Sequence, residues 1–135
     1  IFMVTSIVYY SGELRTESTH LQSGETYITD APTDNEGKGE AFSPTDLIAT
    51  GLANCMLTIM GIVARRKSLD IEGTKAKVTK IMDTEPRRIG EIRIDFFFPK
   101  SYDEDSKKLL QTAALNCPVA KSLADDLTQT INFHY

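Results

Sequence analysis

Ser43-Pro44-Thr45-Asp46-Leu47-Ile48-Ala49-Thr50-Gly51-Leu52-Ala53-Asn54-Cys55 opens the longest helix this sequence can build. Ser43 is a good N-cap, Pro44 suits the first helical position, and Asp46 completes a capping-box-like pattern at the third. Apolar residues continue at Met56, Ile59, Met60 and Val63, and a polar end begins at Arg65, so the pattern predicts a helix over 43–68. The apolar positions cover most of the circumference as far as Val63, which predicts a central, buried helix. Ala49, Gly51, Ala53 and Gly61 are small enough to let another element approach closely.

The segments on either side read differently. Residues 4–30 alternate β-branched and aromatic side chains, with turn signals at Ser11-Gly12 and Gln22-Ser23-Gly24, and predict three short antiparallel strands. A polar loop, 31–42, leads into the helix and could act as a lid or access loop. Beyond it, one strand is predicted near 74–82. A second places Ile92, Ile94, Phe96 and Phe98 on one face, after the turn Asp83-Thr84-Glu85-Pro86. Ser101-Tyr102-Asp103-Glu104 reads as a second capping box. The helix it opens carries Leu109, Leu110, Ala113 and Cys117 on one stripe until Pro118 breaks it. A short amphipathic piece with Val119, Leu123 and Leu127 follows, and 128–135 close the chain as a strand. The order βββ-α-ββ-αα-β predicts an α+β fold over a single domain, 1–135. Ile1 and Phe2 precede Met3, a plausible initiator, and are given no weight in the fold.

Fifteen basic and 19 acidic residues give a net charge of −4, without the basic excess needed to track phosphates. Nucleic acid is therefore not an expected partner. Apolar runs are short before a Thr, Asn or Gly interrupts them, so neither a transmembrane helix nor a signal peptide is expected, and no membrane partner. A reducing cytoplasm is the expected setting. There a disulfide is usually transient and catalytic.

That makes Cys55 and Cys117, 62 positions apart, the candidates for chemistry. Each has two readings. Cys55 lies on the apolar stripe of the long helix and is either a packed core thiol or a nucleophile. In Asn116-Cys117-Pro118 the second cysteine precedes a helix start, where N–H groups and the helix dipole would favour a thiolate; otherwise it packs at a kink. Together they admit one scheme. A thiolate attacks a peroxide O–O bond and becomes a sulfenic acid, and the second thiol condenses it to a disulfide. An external dithiol then restores both. The attacking thiol needs a cationic neighbour. A metal site of Cys55, Cys117, His20 and His134 has no support in the spacing, and none is expected. The two histidines read as strand-end polar residues.

Residues 43–55 and Asn116-Cys117-Pro118-Val119-Ala120-Lys121-Ser122-Leu123 resemble the stretches around the first and second cysteines of OsmC/Ohr proteins, and the order of elements resembles theirs throughout. The resemblance implies an intertwined homodimer, with long central helices wrapped by antiparallel sheets. It also implies reduction of a small organic hydroperoxide or hydrogen peroxide without metal, flavin or other cofactor. Cys55 would be the peroxidatic thiol, Cys117 the resolving one, and a dithiol the reductant. Active members pair an Arg on an N-terminal strand with a Glu directly after the helix-opening Pro. Arg15 is the matching arginine, while Thr45 stands at the Glu position and Asp46 has its own capping task. The alternatives are a redox-quiet relative that binds a small apolar ligand at the dimer interface, and a thiol-disulfide sensor.

Overall fold

A computed structural model describes residues 2–135; Ile1 lies outside the described residues. The chain divides into two compact units, Ile1–Leu47 and Ile48–Tyr135. The elements follow the order the sequence predicts.

In the first unit, β1 (Ser6–Gly12), β2 (Arg15–His20) and β3 (Thr26–Asp30) form an antiparallel sheet in the order β1-β2-β3. The first hairpin closes later than the Ser11-Gly12 signal implies. Glu13 and Leu14 make the turn, with φ of 53° and 63°, because a two-residue hairpin needs left-handed backbone at both central positions to match the strand twist. Gly12 instead ends β1, where the register shifts between Tyr10 and Gly12. The second turn lies where the sequence puts it, with the Gly24 N–H donating to the His20 carbonyl at 2.8 Å. Most of β1 is uncovered in a single chain: Ile7, Val8, Tyr9 and Tyr10 are each more than half exposed.

Helix α1 (Pro44–Arg66) begins in the last residues of this unit and continues into the second. Its capping box forms as predicted. The Asp46 N–H donates to Ser43 Oγ at 3.1 Å, and the Ser43 N–H donates to the Asp46 carboxylate at 3.0 Å. Burial is less complete than the sequence implies. Ala49, Leu52, Ala53, Met56, Met60 and Ala64 are buried along one stripe, whereas Ile48 and Ile62 are 48% and 42% exposed. A single chain covers one side of this helix only. Contrary to the sequence expectation, α1 is by length and composition apolar enough to cross a membrane. A core helix of a soluble protein meets the same description, since one stripe and an apolar opposite face together give that composition.

The second unit adds β4 (Lys75–Thr84), β5 (Arg87–Phe97), α2 (Glu104–Leu115), α3 (Pro118–Ser122) and β6 (Thr128–His134). β4 and β5 pair antiparallel; β5 and β6 pair parallel, with Ile94 opposite Ile131 and Phe96 opposite Phe133. The parallel step follows from the connection, because α2 and α3 form the crossover that such a pair requires. Gly90 has no partner where the β4–β5 register shifts, and a Cβ there would push the Asp83 carboxylate aside. Ile92, Ile94 and Phe96 on one face of β5 are fully buried with Leu52, Met56 and Met60 of α1, Leu110 and Ala114 of α2, and Cys117. Phe98 lies just past the strand and stacks on Tyr135 at 4.6 Å. Helix α2 starts later than the predicted capping box: Asp103, not Ser101, is the N-cap, its carboxylate accepting from the Ser106 N–H at 2.7 Å. Tyr102, just before it, is held instead by donating to the Asp70 carbonyl at 2.6 Å.

Candidate active site

Both sequence candidates for thiol chemistry lie in the second unit, and the fold brings them together. Cys55 sits on α1 beside the buried stripe and is partly exposed. Cys117 arrives through the break between α2 and α3. Asn116 closes α2, its N–H shared between the Ala113 and Ala114 carbonyls, and Pro118, lacking an N–H, takes the first position of α3. Between them Cys117 has extended backbone, φ −68° and ψ 151°, and is fully buried. Its sulfur accepts from the Ala120 N–H at 3.4 Å, and Cys55 packs against the core cluster to which Cys117 belongs. Both cysteines are free.

Of the two readings of Cys117, its burial favours the packed one over the thiolate. Burial pushes this thiol up, and the nearby Cys55 raises it further. The amides of Ala120 and Val119 oppose the rise without cancelling it. A helix of five residues offers too little aligned dipole to outweigh loss of solvation.

Arg15 belongs to the first unit, where it stands directly opposite Asp30 across β2 and β3. Its Nε donates to Asp30 Oδ1 at 2.7 Å and its Nη2 to Oδ2 at 2.8 Å, a two-point ion pair, with Glu40 Oε1 at 3.3 Å. Asp30 is 2% exposed. The Arg15 guanidinium holds its carboxyl below the usual range against the opposing effect of burial, helped by the Glu40 N–H on Oδ2 at 3.0 Å. Asp30 in turn raises the Arg15 guanidinium. Asp30 and Glu40 did not stand out in the sequence; only the β2–β3 register gives the first away. At the helix start, Thr45 Oγ1 lies 3.2 Å from Ser43 Oγ, and Asp46 is engaged in the capping box.

His20 and His134 end β2 and β6, where His20 Nδ1 meets Ser23 Oγ at 2.6 Å and His134 Nε2 meets Asp95 at 3.0 Å. Among the described residues, no three His, Cys, Asp or Glu side chains are grouped to share a metal ion.

A family model described as OsmC-like protein matches residues 37–132. A solved structure from Psychrobacter arcticus 273-4, provisionally described as an osmotic stress induced and detoxification response protein, is 54% identical. The match covers 99% of this chain and 98% of that one, with TM-score 0.96. More distant likenesses include an organic hydroperoxide resistance protein OsmC from Legionella pneumophila, at 16% identity and TM-score 0.74 over the whole of both chains. An organic hydroperoxide resistance protein from Elizabethkingia anophelis is similar at 14% identity and TM-score 0.71, covering 99% of this chain and 96% of that one. No curated protein matches the chain.

Proposed function

Since the chain belongs to the OsmC-like protein family, we propose that it is a cysteine-based hydroperoxide reductase acting in the cytoplasm as a homodimer. The observation that carries this reading is the pair of free thiols in one core with unequal exposure, Cys55 open in part to solvent and Cys117 fully buried. A peroxide reaches the accessible sulfur first. The Cys55 thiolate attacks the O–O bond of a small organic hydroperoxide or hydrogen peroxide, taking one oxygen as sulfenic acid while the other leaves and is protonated to alcohol or water. The Cys117 thiol then displaces the sulfenic oxygen as water and forms the disulfide. An external dithiol reduces it by two exchanges, becoming a disulfide itself. By the family resemblance, Arg15 is the activating cation for the attacking thiol.

Self-association is supported by the uncovered apolar residues of β1 and by Ile48 and Ile62 on the outer side of α1. The deciding experiment counts free thiols and peroxide after one equivalent of cumene hydroperoxide. Wild type should lose both thiols. Cys117→Ser should consume about one equivalent and stop at a trappable sulfenic acid, and Cys55→Ser should consume none. Reversed results would make Cys117 the nucleophile. No consumption by wild type would reject the reductase in favour of the ligand-binding reading.

A further inference from the structure

Of the small residues in α1, some are used in packing and some are not. Ala49 and Ala53 are buried in the core of the second unit, 2% and 3% exposed. Gly51 and Gly61 have no such use. A Cβ built on either would meet nothing within 4 Å, and neither has the positive φ that calls for glycine. Both lie inside the helix, where glycine is the poorest residue after proline. Among the described residues no close approach offsets that cost.

Their places relative to Cys55 differ. In an α-helix a side chain leans toward the N-terminus, over the residues three and four before it. For Cys55 these are Leu52, which is fully buried, and Gly51, which is partly exposed. The side of Cys55 that is open to solvent is therefore the side of Gly51. Gly61 lies six residues beyond Cys55, away from the lean of its side chain.

Building on the reductase reading, we propose that Gly51 sets the size of the peroxide that Cys55 can take. The missing side chain leaves a notch beside the thiol, and the organic group of a hydroperoxide fits there while the O–O bond faces the sulfur. Hydrogen peroxide carries no such group and does not need the notch. A methyl at 51 narrows the approach and a leucine closes it, because a displacement on the order of 1 Å is enough to spoil the geometry of attack.

The test pairs a large and a small oxidant with Gly51→Ala, Gly51→Leu and the control Gly61→Ala. Single-turnover rates are measured with cumene hydroperoxide and with hydrogen peroxide. Alkylation of Cys55 by pyrenylmaleimide and by iodoacetamide, located by mass spectrometry, is measured alongside. Both alanine variants should raise the urea midpoint, since each replaces an uncompensated helical glycine. The ratio of cumene hydroperoxide rate to hydrogen peroxide rate should fall about tenfold in Gly51→Ala and further in Gly51→Leu. It should keep its wild-type value in Gly61→Ala, and the ratio of large to small alkylating reagent should follow the same order. An unchanged ratio in Gly51→Leu, or an equal fall in Gly61→Ala, would overturn the proposal. So would a Gly51→Ala chain that sediments as a smaller species than wild type, which would assign the glycine to contact between two copies. Alkylation needs no peroxide. A wild type that consumes neither oxidant, with an alkylation ratio that still falls in the Gly51 variants, would therefore reject the reductase and keep the notch.

Discussion

Arg15 and Asp30 face each other across β2 and β3 and close a two-point ion pair of 2.7 and 2.8 Å, with the carboxylate buried. In a chain with Thr45 at the position of the family's glutamate, Asp30 is thus a carboxylate in direct charge contact with the arginine. Because Asp30 is held below its ordinary range in the folded chain, its ionised form favours folding. That contribution is complete above the unfolded carboxyl's value of about 3.9 and is lost as pH falls through the lower folded value. Asp30→Asn should therefore lower the urea midpoint by a constant amount from about pH 7 to 5, with the gap closing below about pH 4. A gap independent of pH would mean that the carboxylate's charge is not what stabilises.

The capping box of α1 gives a second expectation. Ser43→Ala removes the oxygen that receives the Asp46 N–H and should cost about 0.5–2 kcal/mol in chemical denaturation. Ser101→Ala, at the start predicted for α2 but outside that helix, should cost less than Asp103→Ala, which removes the acceptor for the Ser106 N–H.

Tyr9, 64% exposed in the middle of β1, should be covered in the proposed homodimer. Tyr9→Lys should weaken self-association by about tenfold or more in sedimentation equilibrium, the scale set by about 1.4 kcal/mol of lost burial. Its circular dichroism should match wild type. A wild-type chain that sediments as a monomer at micromolar concentration would contradict the dimer.

Disulfide formation should be the pH-limited step of turnover. Cys117 must lose its proton to attack the sulfenic sulfur, and burial, the largest cause of its raised value, persists after Cys55 has been oxidised. From about pH 6 to 8 the condensation rate, followed by loss of trappable sulfenic acid, should rise about tenfold per unit. A flat profile would mean that the proton is lost to a partner before the attack.

Local signals were the legible ones. The Ser43–Asp46 capping box and the alternation of Ile92, Ile94 and Phe96 depend on residues close in sequence, and both stand as read. The start of α2 slipped by two because Ser101 and Asp103 can both cap, and only tertiary placement, with Tyr102 drawn to Asp70, selects the second. Asp30 was invisible because an aspartate at a strand end reads as a turn residue until register sets it opposite Arg15. The two readings of Cys117 stayed open in sequence for a similar reason: its helix start is visible there, but its burial depends on α1, β5 and α2 packing around it.

The parallel pairing of β5 with β6 places Cys117 inside the crossover, so the two cysteines reach one core across a long span of chain. A bond between them would close a loop of 62 residues. In the chain-entropy account, such a closure removes about 4 kcal/mol of freedom from the unfolded ensemble. Oxidation would therefore leave a chain harder to unfold than the reduced one. By the same cycle, whatever loosens the fold makes the bond easier to reduce. The redox state of the pair and the folding equilibrium of the second unit are then two readings of one thermodynamic quantity.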